Sequence, residues 1–228
     1  MSAKIITVFN QKGGCGKTMM TMQLGGAMAL SGLKTLVIDM DPQNTSHIWS
    51  LQSDAEAPFP ADVVSMAPLK EAFIEKLPQI VSKYDVIVID CPPALGSRVP
   101  WAALGVADLA LIPVIPVLDN VWASKQAEQL VLEAMEHRKQ RGDDGLQAAF
   151  LLNMVRRGNV FESCLSALED QSTLPILKNS VSMLNAFPEC QVYGCAVKSF
   201  GASKATKQID LLVQEACKVI GINVKVKK

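Results

Sequence analysis

The chain has no uninterrupted apolar run of the roughly 18 residues that a membrane-crossing helix requires. A bilayer-spanning role is therefore set aside. It also has no net charge, since 22 basic residues balance 22 acidic ones. Without a global basic field, contact with nucleic acid has to come from a local patch. Cysteine is present but not in metal-binding order. No Cys-x-x-Cys occurs, and Cys190 and Cys195, separated by four residues, have no second pair to complete a zinc site. Cys15 lies in a glycine-rich loop and Cys91 follows an apolar run, both poor places for a structural disulfide. Reduced thiols in a cytoplasmic protein are expected. No internal repeat, low-complexity linker or break in composition divides the sequence, so residues 1–228 read as one domain. No signal peptide is expected either, because an apolar strand already starts at Ala3.

What is present fits a well-filled core. Hydrophobic residues make up 49% of the chain and the mean hydropathy is +0.22, which argues against disorder. Apolar, β-branched runs predict strands at Ala3–Phe9, Lys34–Asp39, Ala61–Met66, Asp85–Asp90, Leu109–Val114 and Ala148–Met154, with Leu174–Leu177 extended. Helical spacing predicts helices over Lys17–Ser31, Leu69–Ser82 (despite Pro78), Asn120–Arg141, Val160–Gln171 and Ser203–Val219. Gln52–Pro60 reads as a polar surface loop. Alternation of strand and helix predicts an α/β fold, a mostly parallel, doubly wound sheet with helices on both faces.

The densest chemical signal is Lys12-Gly13-Gly14-Cys15-Gly16-Lys17-Thr18, placed between the first strand and the first helix. Backbone N–H groups reach phosphate oxygens only where side chains do not obstruct them, and Gly13, Gly14 and Gly16 remove that obstruction. The positive end of the following helix adds to the attraction for an anion. Lys17 is placed for the β/γ-phosphates, and the Thr18 hydroxyl for Mg²⁺, a hard cation that prefers oxygen. The usual P-loop has a glycine five residues before its Gly-Lys-Thr. Gln11 stands there instead, and an additional lysine, Lys12, follows it. A second cation beside a polyphosphate is suited to stabilising charge on a transferring phosphoryl group.

In open parallel sheets, ligands sit beyond the carboxyl ends of the strands. Two strands end there in aspartate, giving Asp39-Met40-Asp41-Pro42-Gln43 and Asp90-Cys91-Pro92-Pro93. An aspartate closing an apolar strand beside a phosphate loop is suited to holding the water shell of Mg²⁺. An asparagine, Asn153, closes a late strand, and its amide has the donors and acceptors to pair with a purine edge.

The run Lys-Gly-Gly-x-Gly-Lys-Thr resembles the deviant Walker A box of the ParA/MinD family of P-loop ATPases. Asp39-x-Asp41-Pro-Gln resembles that family's switch I, and Cys91-Pro92-Pro93 with Gly96 its switch II. Ile112–Pro116 followed by Leu118-Asp119, and Leu151–Met154, extend the resemblance over most of residues 3–220. The resemblance implies ATP and Mg²⁺ as cofactors, with nucleotide contacts from Lys12 to Met19 and from Asn153 to adenine. It implies metal contacts from Thr18, Asp39 and Asp90. Lys12 would reach the nucleotide of a second subunit, Lys17 would hold phosphate, and Asp41 would position the attacking water.

The implied activity is a homodimerising ATPase that binds DNA nonspecifically and positions a cargo. Only Met1-Ser2 precede the first strand, so an N-terminal helix-turn-helix domain is not expected. The chain thus resembles compact plasmid-partition members, which work with a centromere-binding ParB-like adaptor on the nucleoid. Candidate DNA contacts are Arg156, Arg157, Lys198, Lys204 and Lys207. The alternatives are a MinD-like membrane-associated positioning ATPase and a P-loop small-molecule kinase or synthetase. The first is disfavoured because Ile222, Val224 and Val226 alternate with period two rather than forming an amphipathic helix. The second is disfavoured because no arginine-rich lid is evident.

Overall fold

A computed structural model describes residues 3–93 and 96–224. Six strands form one sheet in the order β3-β2-β4-β1-β5-β6, with every pairing parallel. They are β1 (Lys4–Val8), β2 (Thr35–Asp39), β3 (Asp62–Ser65), β4 (Val86–Asp90), β5 (Leu109–Val114) and β6 (Gln147–Leu152). The four central strands are buried along nearly their whole length, which is why they read as continuous apolar runs rather than alternating ones. The helices are α1 (Lys17–Leu30), α2 (Thr45–Leu51), α3 (Val99–Leu104), α4 (Leu118–Gln140), α5 (Asn159–Gln171), α6 (Ala186–Val192) and α7 (Lys204–Val219).

Successive strand residues point to opposite faces, and the sheet separates two cores. Ile6, Val8, Val37, Val86 and Val88 pack with Met20, Leu24 and Met28 of α1, Trp49 of α2, Phe187 of α6 and Ile209 and Leu212 of α7. On the other face, Ile5, Ile38, Ile87 and Ile89 pack with Ala103 of α3, Val131 of α4 and Phe161 of α5. The doubly wound parallel arrangement is thus the one expected. No helix among the described residues is long and apolar enough to cross a membrane. The C-terminal alternation reaches Val226, which lies outside the described residues.

One expected helix is absent. Leu69–Ser82 is replaced by two 3-10 segments, Ala67–Glu75 and Leu77–Gln79. Pro68 and Pro78 remove backbone donors, and Lys70 breaks the first segment with φ 48° and ψ −137°. Three short helices, α2, α3 and α6, stand where no helix was expected. Leu174–Leu177 is extended, joining the β6 edge by an isolated Phe150–Ile176 bridge.

Candidate nucleotide-binding site

The carboxyl ends of β1, β2, β4, β5 and β6 converge on one edge of the sheet. After β1, Asn10 is fully buried. Its Nδ2 donates to the Pro113 carbonyl at 2.8 Å and its Oδ1 accepts the Lys12 N–H at 3.0 Å. This pins the entry of the glycine loop to β5. Gly14 and Gly16 have φ 76° and 87°, in the left-handed region that costs other residues about 1–2 kcal/mol. Gly16 is also required sterically, because a Cβ there would overlap the Asn153 amide.

The two lysines differ. Lys17, 7% exposed, folds back so that its Nζ donates to the Lys12 carbonyl at 3.1 Å. The Lys12 side chain is exposed and has no ion-pair partner among the described residues. Cys15 is buried inside the loop, and its sulfur approaches the Lys12 carbonyl at 3.3 Å. Burial raises its thiol pKa, against the opposing charge of Lys17, so it is an inert packing group.

Asp39 and Asp90 are register partners on adjacent strands, and both are completely buried. Asp39 accepts backbone N–H bonds from Asp41 and His47, each 3.0 Å, but burial still raises its pKa. Burial pushes Asp90 up to about 7. The Ser46 and Thr18 hydroxyls and the Lys17 ammonium oppose that rise, and the Asp39 charge adds to it. Ser46 donates to Asp90 Oδ2 at 2.7 Å. Two buried acids beside a single lysine make a net acidic, oxygen-rich corner that fits a hard divalent cation. No group of three His, Cys, Asp or Glu side chains among the described residues surrounds a metal position. The remaining coordination would therefore come from phosphate and water, as Mg²⁺ prefers.

Asp41 is half-buried and accepts the Gln43 N–H at 2.9 Å. With Pro42, Gln43, Pro92, Pro93 and Gly96 it lines a cleft of 660 Å³, so the structure brings the two aspartate-bearing loops onto one opening. Asn153 lies fully buried beneath the loop. Its Nδ2 donates to the Cys15 carbonyl at 2.9 Å, while Oδ1 has no partner. Its amide nitrogen is thus committed to the loop, leaving Oδ1 as the free group. Met19, expected among the nucleotide contacts, lines a 240 Å³ apolar cavity together with Met154, Met183, Phe187 and Pro188.

The basic candidates divide. Lys198 is held at 2.6 Å by Asp210 and at 3.0 Å by Ser31, and is a structural ion pair rather than a free cation. Arg156 Nε contacts the Met183 sulfur at 3.1 Å, and the Arg157 guanidinium lies 5.7 Å from the Phe161 ring centroid. Both arginines are exposed, as are Lys204 and Lys207 on α7. Val155 pairs with Ser182, which is hydrogen-bonded to Gln208 of α7. That contact chain ties the segment after β6, which carries Arg156, to α7, which carries Lys204 and Lys207.

Residues 6–195 match the CobQ/CobB/MinD/ParA nucleotide binding domain. The chain belongs to this family. Among relatives, it is 27% identical over 216 residues to maintenance of carboxysome distribution protein A of Halothiobacillus neapolitanus, covering 92% of this chain and 94% of that protein. It is 33% identical over 188 residues to the sporulation initiation inhibitor protein Soj of Bacillus subtilis, covering 67% and 73%. The solved complex of a Cyanothece McdA variant with ATP superposes with a TM-score of 0.75 at 18% identity, covering 99% of each chain. This last likeness speaks to the fold. Within the family frame, the residues that sequence reasoning missed are Asn10, Ser46 and the apolar wall at Met183, Phe187 and Pro188. Asn10 alone carried a signal, as a polar residue directly after a buried strand.

Proposed function

We propose that residues 1–228 act as an ATP-dependent dimerisation switch that positions a cargo along DNA. The observation that carries this reading is the contrast between the two loop lysines. Lys17 is turned inward onto its own loop, whereas Lys12 is exposed and has no ion-pair partner among the described residues. An outward lysine at the rim of a phosphate cradle is available to the nucleotide of a second copy.

On binding ATP, Lys17 exchanges the Lys12 carbonyl for the β/γ-phosphates, and the loop N–H groups take the remaining oxygens. The Thr18 hydroxyl would hold Mg²⁺, with Asp39 and Asp90 facing its water shell, and the ion would supply positive charge against the phosphates. Lys12 from the second subunit completes the cation set, and Asp41 orients the attacking water. The Met19–Phe187 cavity receives the adenine, and Asn153 Oδ1, buried beneath the loop and unpartnered, reaches it once the loop shifts on binding. Arg156, Arg157, Lys204 and Lys207 contact DNA phosphates without reading sequence.

Hydrolysis is slow until a partner stimulates it, because a switch needs a long-lived ATP state. The favoured cargo is a plasmid, engaged through a centromere-binding ParB-like adaptor, and the favoured location is the nucleoid-associated cytoplasm. A second reading, a protein compartment as cargo, is supported by the carboxysome-distribution relative, whose likeness runs through 92% of the chain.

The test is Lys12→Ala. This variant is expected to bind ATP while losing ATP-dependent dimerisation, read by light scattering, and hydrolysis. Normal turnover by the variant refutes the role given to Lys12. Asp41→Ala is expected to dimerise with ATP and hydrolyse poorly; a monomer would contradict its assignment. Stimulation by a DNA-bound adaptor, against stimulation by a compartment-associated adaptor, separates the two cargos.

A further inference from the structure

One buried contact at the site is not explained by phosphate or metal binding alone. Ser46 is fully buried, and it is the second residue of α2, the short helix that follows Asp41 and Gln43. Its hydroxyl donates to Asp90 Oδ2 at 2.7 Å, while the other oxygen, Oδ1, has Thr21 Oγ1 at 3.5 Å. The Asp90 carboxylate therefore joins α1 to α2, and its stronger link is to α2.

Three residues along the same helix face, Trp49 is 2% exposed. Its indole Nε1 donates to the Cys195 carbonyl at 3.1 Å. The first turn of α2 is fixed at the opposite end as well. Asn44, in the left-handed region at φ 52°, accepts the Ser65 hydroxyl from the end of β3, and the His47 N–H donates to Asp39. The seven residues of α2 thus lie between the Asp39–Asp90 corner at one end and the Cys195 carbonyl at the other.

We propose that Ser46 is a positioning residue for Asp90. It sets the carboxylate orientation that receives the Mg²⁺ water shell, and it ties the Trp49–Cys195 contact to occupancy of that shell. Partners in the outer shell of a metal site commonly change metal affinity by about 10- to 100-fold when removed. The hydroxyl is the feature that matters. Alanine at this position keeps the helix and loses the donor, whereas threonine keeps the donor.

The proposal rests on the nucleotide-binding reading, and the experiment separates the two. Trp101 and Trp122 are replaced by phenylalanine so that Trp49 alone reports. Mg²⁺ is then titrated into protein saturated with a non-hydrolysable ATP analogue. With Ser46 present, Trp49 emission is expected to change and saturate with Mg²⁺. Ser46→Ala is expected to raise the half-saturating Mg²⁺ concentration by about tenfold or more and to shrink the Trp49 change. Ser46→Thr is expected to restore both.

An unchanged Mg²⁺ midpoint in Ser46→Ala overturns the proposal, as does an equal loss in the alanine and threonine variants. A Trp49 signal that ignores Mg²⁺ in the Ser46 protein overturns the mechanical link. Failure of the Ser46 protein to bind the analogue at all defeats the nucleotide reading instead. Thermal unfolding of each variant guards against a plain loss of fold.

Discussion

The closest test of the loop geometry is a double-mutant cycle between Gly16 and Asn153. Gly16 has φ 87°, so alanine there meets a backbone strain of about 1–2 kcal/mol. The new Cβ would also collide with the Asn153 amide, and overpacking of this kind typically costs a further 1–3 kcal/mol, roughly. Gly16→Ala is therefore expected to destabilise by about 2–5 kcal/mol. Asn153→Ala removes the 2.9 Å bond to the Cys15 carbonyl and leaves that carbonyl unpaired, at about 1–3 kcal/mol.

In the double variant the obstructing amide is gone. Only the backbone strain and the lost hydrogen bond remain, and the two changes together should cost less than their sum by about 1–3 kcal/mol. Urea unfolding of the four proteins at a common slope gives each stability. Additivity within about 0.5 kcal/mol would mean that Asn153 does not support the loop in the way described, and the account of why Gly16 is glycine would fail with it.

Three further outcomes are expected. Glu128 of α4 is 6% exposed and gathers Ser172 Oγ, Thr173 N–H, Thr173 Oγ1 and Leu174 N–H on one oxygen at 2.7–3.2 Å; Glu128→Ala should cost about 2–4 kcal/mol, checked by denaturant unfolding at pH 7. Its pKa is lowered despite burial, because those donors favour the charged form. The stabilisation carried by the charge is thus complete above the unfolded carboxylate value near 4.3 and lost as pH falls through the lower folded value, so the gap to the parent should narrow as pH falls below the unfolded value. Lys204→Ala and Lys207→Ala should each weaken nonspecific duplex binding and reduce its salt slope by about 1, measured by anisotropy. Lys198→Ala should leave that slope unchanged and lower thermal stability, since its partner Asp210 loses its counter-ion.

The parts legible in the sequence are those with a single local cause. β1, β2, β4 and β5 are buried on both faces, so their apolar runs announce them whatever surrounds them. The glycine loop and the strand-ending Asp39 and Asp90 are legible because each directly follows an apolar run, and the parallel register sets the two aspartates side by side. The parts missed have distant causes. α2 and α3 span only seven and six residues, too short for a helical period to show. They persist because Trp49, and Val99 with Ala103, are buried against the sheet. Lys198 looks like any surface lysine, and its partner Asp210 lies on the next helix. The role of Ser46 depends on Asp90, 44 residues away, and no local pattern links them.

The position of β1 has a consequence for synthesis. β1 is made before each strand it pairs with, yet it ends at the centre of the sheet, between β4 and β5. Its hydrogen-bonding partners begin at Val86 and Leu109, and the loop it carries is buttressed by Asn153. At ribosomal speeds of about 5–20 residues per second, β1 waits several seconds or longer with both edges bare. The glycine loop is made before the strands that close around it. The loop therefore lacks its buttress until β6 has emerged, and β1 is the apolar segment most in need of shielding in the interval.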